Sequence, residues 1–198
     1  MKVKIFSALS LLVVSLIFSG YNEDAAAHTK IRCASGDSLR EIKVQNLYSM
    51  MVPQFMAEDT LLNDEASLEY ANLDSELYVI VIHESLAEYV RTYREMGEYE
   101  TSKSPLENYA NTQQAFCLNM LGTISELTPL VKGTYNGLET YSFDMRGSPA
   151  GIDLKVLYKI RVVQGKEHLY LLLTYTLAFQ TDVYEKRMTA MLDSFMEF

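Results

Sequence analysis

His83-Glu84-Ser85 sets an imidazole, a carboxylate and a hydroxyl side by side, the residue types of a hydrolytic triad. Contiguity works against it, because neighbours along a strand point to opposite faces and cannot converge on one substrate atom. His83 is instead expected to end a central strand and hydrogen-bond nearby. His28 and His168 make no metal-ligand spacing with it, and no H-E-x-x-H occurs. "GSPAG", residues 147–151, has the letters of a nucleophile elbow in the wrong spacing and reads as a turn. There is no phosphate loop or dinucleotide fingerprint. The residues therefore assign no catalytic, cofactor-binding or metal-ligating role, and a hydrolase built from dispersed residues stays only as a third reading.

Three other groups bear on chemistry. Glu58, Asp59, Asp64 and Glu65 form an acidic cluster that could attract Ca²⁺, but they lack the alternating carboxylates and glycine of an EF-hand and read as a solvated loop. Cys33 and Cys117 could close a disulfide over more than eighty residues, which would contribute about 4 kcal/mol in a chain-entropy account. They could equally stay free, with Cys117 on the apolar face of a helix as an inert, buried thiol. Tyr89, Tyr93, Tyr99 and Tyr109 are the candidate interaction surface, because tyrosine offers wide contact with a polar tip. The competing reading has the same rings covering a sheet with their hydroxyls at the rim.

The elements that must position these residues follow from periodicity. Ile42 and Val44, then Tyr48, Met50 and Val52, alternate with polar or outward residues and read as strand, ended by Pro53. "ELYVIVIHE" is a continuous apolar run, expected of a strand covered on both faces. Ser85 with Glu88, and Ser104-Pro105 with Glu107, are capping boxes that open two helices. "ISELTPLVKGTY" reads as an edge strand, Asn136-Gly137 as a hairpin turn, and "IDLKVLYKIRV" and "HLYLLLTYTLAF" as further strands. A last helix is expected from Asp182 as cap, with Tyr184, Met188, Met191, Leu192 and Phe195 as its stripe. The order predicts an α+β domain: a mostly antiparallel sheet of about six or seven strands with helices packed on both faces.

Composition bounds the function class. A formal charge of −9 argues against nucleic acid, which needs cations to displace phosphate counterions, and against an anionic membrane surface. "MKVK" followed by the uncharged apolar stretch 5–20 reads as a secretory signal peptide over 1–27, cut after Ala25-Ala26-Ala27. Residues 28–40 read as a flexible lead-in and 41–198 as a single domain. The expected location is periplasmic or secreted, with no membrane span after cleavage.

Four stretches together resemble the PsbP-like superfamily: "YSMMVP", "YNGLETYSF", "HLYLLLTYTLAF" and "YEKRMTAMLDSF" with Asp193-Ser194-Phe195 near its end. The resemblance covers about residues 41 to 197. It implies an antiparallel sheet between helices and a role in binding proteins, and it brings no catalytic motif and no cofactor. The first expectation for function is an exported, non-catalytic module with a protein or envelope partner. The second is a periplasmic carrier of a small apolar ligand held among the Met- and Tyr-rich faces.

Overall fold

The computed structural model describes residues 38–60, 63–151 and 153–198, and of Met120 the backbone only. Eleven strands, three α-helices and two short 3-10 turns occur among them. The strands are β1 (Leu39–Val44), β2 (Tyr48–Pro53), β3 (Ala57–Glu58), β4 (Ala66–Asn72), β5 (Leu77–Ser85), β6 (Leu121–Leu127), β7 (Val131–Tyr135), β8 (Leu138–Pro149), β9 (Val156–Gln164), β10 (His168–Leu177) and β11 (Met196–Glu197). The helices are α1 (Leu86–Glu95), α2 (Pro105–Met120) and α3 (Thr181–Asp193). The signal peptide, most of the lead-in and Cys33 lie outside the described residues.

All strand pairs are antiparallel. The larger sheet runs β3-β4-β5-β10-β9-β8-β6, with β7 also on β8, and β1-β2-β11 form a separate three-stranded sheet. The expectation of six or seven strands is thus corrected to eight in the main sheet. The long β8 is the reason. Its outer edge is shared by β6 and β7, two short strands divided around Pro129, where the sequence pattern showed a single edge strand.

β5, β9 and β10 sit in the middle, and their pleat divides their side chains between two cores. Tyr78, Ile80 and Ile82 of β5 join one core with Tyr89 of α1 and Leu106, Tyr109, Ala110 and Cys117 of α2. Leu77, Val79 and Val81 join the other, with Tyr184, Met188, Met191 and Leu192 of α3 and Tyr48, Met50 and Val52 of β2. The cover on this second side is therefore mixed: one helix together with the small sheet. The single opening strand expected from Ile42 to Val52 is corrected to a hairpin: residues 45–47 turn, and β1, which takes Leu39 and Arg40 from the expected lead-in, pairs with β2 in register from Leu39↔Pro53 to Val44↔Tyr48.

Both serines cap as expected, with Ser85 accepting from the Glu88 amide at 3.3 Å and Ser104 from the Glu107 amide at 3.1 Å, which is the serine half of each expected capping box. α3 departs from expectation. It begins at Thr181, preceded by Gln180 without a side-chain cap, so Asp182 lies in the first turn. There its carboxylate still meets the positive end of the helix dipole. "GSPAG" is likewise corrected, since Gly147, Ser148 and Pro149 finish β8 and only Ala150 and Gly151 turn.

Candidate functional site

The end of β5 carries His83, Glu84 and Ser85, and the pleat turns Glu84 away from its two neighbours. Glu84 lies opposite Leu169 of β10, a residue of the core under α1 and α2. His83 lies opposite Tyr170, a residue of the other core. The His83 ring sits 5.4 Å from that of His168 and 6.2 Å from that of Tyr170, centroid to centroid. Ser85 is occupied as the cap of α1. The three neighbours thus do three different jobs. The expectation that His83 ends its strand with a nearby hydrogen bond is corrected: the strand runs to Ser85, and His83 Nδ1 is buried with no hydrogen-bond partner among the described residues. Burial and His168 both disfavour the imidazolium and lower the proton affinity of His83.

The four tyrosines divide by depth. Tyr89 and Tyr109 are buried, with rings 5.2 Å apart at a steep angle, and belong to the core. They are removed from the candidate interaction surface because their rings already pack the helices onto the sheet. Tyr93 and Tyr99 are half-buried. Tyr93 packs on Tyr89 with ring centroids 4.4 Å apart, three residues before Met96, which is 52% exposed. Tyr99 lies under the Arg94 guanidinium, 5.0 Å from ring centre.

Backbone bonds hold this face in shape. The amides of Glu98 and Tyr99 both donate to the Tyr93 carbonyl, at 2.9 and 3.1 Å. Gly97, at φ +75°, makes the turn that permits it. The following loop is tied down by Asn108, a buried α2 residue the sequence pattern did not single out. Its Nδ2 donates to the carbonyls of Glu100, Lys103 and Ser104, and its Oδ1 accepts from the Glu100 amide at 2.9 Å. The readable signal is its position: an asparagine in the second turn, next to the capping glutamate, is placed to bond the loop that precedes its own helix. Beside the face, Glu95 and Glu98 are exposed.

The remaining candidates resolve as follows. The acidic cluster borders a cavity of about 270 Å³ walled by Glu58, Asp59, Asn63, Asp64, Ser67 and Glu69. The Asn63 amide donates to Glu69 at 3.0 Å and Asn63 Oδ1 accepts from the Glu65 amide, so part of this polar wall serves the loop itself. Among the described residues no group of three or more His, Cys, Asp or Glu is arranged to hold a metal ion. Cys117 is buried, and burial pushes its thiol up to about 12, which suppresses thiolate chemistry. No helix among the described residues is long and apolar enough to cross a membrane.

A second site of convergence is structural. Tyr48, Tyr170 and Phe195 form an aromatic triangle with centroids 4.9–5.5 Å apart. Asn136 Nδ2 donates to the carbonyls of Asp193 and Phe195 at 3.0 and 2.7 Å. Arg161, 4% exposed, pairs with Asp193 at 2.8 Å and lies 3.6 Å from the centre of the Tyr135 ring. The Met51 amide donates to Ser194 Oγ at 2.8 Å.

No protein-family model matches the chain, and no curated protein does. Solved structures do resemble it. The solution structure of cyanobacterial PsbP from Synechocystis sp. PCC 6803 is 14% identical, with a TM-score of 0.53 over 81% of this chain and 93% of that one. A protein of unknown function from Pseudomonas aeruginosa, PA94, described as a putative regulator, is 7% identical over 79% and 94%, with a TM-score of 0.46. LpqN of Mycobacterium tuberculosis, described as involved in cell envelope biogenesis, is 10% identical over 81% and 90%, again at 0.46. At such identities the likeness is one of fold.

Proposed function

We propose that this chain, whose fold is the PsbP-like one, is an exported, non-catalytic module that binds another protein or an envelope component. The observation that carries the reading is the face formed by Tyr93, Met96 and Tyr99. It combines two half-buried aromatic rings, a largely exposed methionine and a stacked arginine on backbone held by Gly97 and Asn108. Aromatics, Met and Arg are the residue types enriched where proteins meet. A face already rigid loses little conformational freedom on docking. Exposed Glu95 and Glu98 beside it favour a neutral or basic partner.

Export is supported by the two lysines and the uncharged apolar stretch 5–20, which would direct the domain to the periplasm or outside the cell. The non-catalytic reading is supported by the division of His83 and Glu84 between two cores and by the use of Ser85 as a helix cap. The described cavity at the acidic loop is polar, so it lends nothing to an apolar cargo.

Affinity capture from a native envelope extract tests the proposal. The wild-type chain is expected to retain one protein in stoichiometric amount. The Tyr93→Ala/Tyr99→Ala chain should retain at least about tenfold less, since a central interface aromatic is typically worth more than about 1 kcal/mol. Both rings also pack on the core under α1 and α2, so the melting temperature will fall too and retention is compared at a temperature where both chains are folded. Recovery of the bare chain, or equal retention by both proteins, contradicts the reading.

A further inference from the structure

The main sheet has an open edge. β7 bonds β8 on one side, and among the described residues no strand lies on its other side. All of its residues but Gly133 are exposed, Val131 at 59% and Tyr135 at 39%. The turn fixes which backbone groups face outward. Across the two-residue turn Asn136-Gly137, Tyr135 and Leu138 exchange both hydrogen bonds. The alternation of an antiparallel pair then turns the N–H and C=O of Val131, Gly133 and Tyr135 towards β8. Those of Lys132 and Thr134 point away from the sheet, and no backbone bond from either reaches another element among the described residues.

The other edges of the two sheets are guarded. β3 and β11 have two residues each. β1 carries Arg40, Glu41 and Lys43. β6 joins β8 with two irregularities in register. Short length, charge and bulges are what keep edges from pairing. β7 is regular over five residues, and its one charge, on Lys132, is already answered by Glu139 of β8 at 2.9 Å.

We propose that β7 is a self-pairing edge, which takes β7 of a second copy of this chain antiparallel to itself about a two-fold axis at Gly133. The residues of the strand commit the edge to this occupant. With Gly133 on the axis, Lys132 of each copy stands opposite Thr134 of the other, so the outward N–H and C=O groups of both copies satisfy one another. Val131 stands opposite Tyr135 of the other copy, in the non-hydrogen-bonded positions where side chains come closest. A β-branched residue against an aromatic is a favourable cross-strand pair, and no like charges lie directly opposite. The facing glycines leave room at the axis, where each Tyr135 ring leans over its own Gly133: a Cβ there would meet Tyr135 Cε2 and Thr140 Oγ1, both at 3.3 Å. Pairing also covers the exposed part of the ring that shields Arg161.

Two five-residue strands bury less than the about 1,200 Å² at which standard interfaces begin, so the dimer is weak and concentration-dependent. Its axis stands perpendicular to the sheet, so α1 and α2 of both copies lie on one side of a continuous sheet. A doubled Tyr93–Met96–Tyr99 face follows only if the function proposed above holds; the pairing does not depend on it.

Sedimentation of the exported chain across about a hundredfold range of concentration, with amide exchange measured at both ends of it, tests the pairing. The mass is expected to rise from one copy towards two. The Lys132 and Thr134 amides should become protected at high concentration, while those of Gly133 and Tyr135, already bonded to β8, gain less. Thr134→Pro removes an outward N–H from each copy at an edge position that tolerates proline, and it should weaken dimerisation at least about tenfold because the loss occurs twice. If that chain does not fold, Val131→Lys serves, since an exposed edge lysine opposes pairing and Val131 belongs to neither core. A single copy at every concentration, a dimer that leaves the Lys132 and Thr134 amides unprotected, or an unweakened dimer in the folded variant overturns the proposal.

Discussion

Arg161 shows how this fold handles a charge it cannot expose. Its guanidinium is buried under the Tyr135 ring, bonds Ser142 through Nε at 3.1 Å and pairs with Asp193 through Nη2, while Nη1 finds no partner among the described residues. Asp193 keeps 43% of its side chain exposed, so the pair is screened on one side only. Replacing Asp193 by Ala should leave the buried cation unanswered and destabilise the domain by about 2 kcal/mol, less than for a fully buried pair. Urea denaturation measures it. Arg161→Met should cost less than Asp193→Ala, because it removes the buried charge itself and leaves behind only a carboxylate that water can reach.

Among the elements, those with strong local signals were legible in the sequence. β2, β5, α1, α2, the Asn136-Gly137 hairpin and β10 lie where periodicity and caps placed them, because each is determined by its own residues. The hairpin turn has φ of 49° and 81° at Asn136 and Gly137, the conformation that this pair adopts most readily. What was illegible depends on distant partners. β11 is two residues long and exists only because Tyr48 and Ser49 offer it an edge. The split of β6 from β7 depends on the length of β8. Tyr89 and Tyr109 differ from Tyr93 and Tyr99 in depth rather than in sequence context, so helical spacing could not separate core from surface.

β6 offers a test at this scale. It reaches β8 with two irregularities in register, and a Cβ at Gly147 would meet the Thr123 carbonyl at 2.3 Å and Leu121 Cδ1 at 2.7 Å. Backbone cannot yield as a side chain end can. Gly147→Ala is therefore expected to force β6 off β8 at a cost of roughly 2 kcal/mol. Exchange protection should vanish from β6 while β9 and β10 keep theirs; an unchanged melting temperature would refute the close approach.

Over the whole molecule, the four stretches that carried the PsbP-like resemblance meet in one place. "YSMMVP" brings Tyr48 and Met51, "YNGLETYSF" brings Tyr135 and Asn136, "HLYLLLTYTLAF" brings Tyr170, and the end of the last helix brings Asp193, Ser194 and Phe195. Their shared pattern thus records how the small sheet, the hairpin and α3 lock onto the main sheet. It carries no information about a partner, which is why the fold was readable and the site was not. The two sides of the molecule then differ in kind: the α3 side is closed by this lock, while the α1/α2 side presents Tyr93, Met96 and Tyr99.

That asymmetry is most directly tested by photo-cross-linking in the native envelope fraction from two positions, Met96 and Phe179. Phe179 is 72% exposed at the turn before α3 and serves as an apolar control remote in sequence from the docking face. A photoreactive residue at 96 is expected to trap one protein reproducibly, and the same residue at 179 to trap none. A partner trapped from 179 and not from 96, or none from either, would contradict the account.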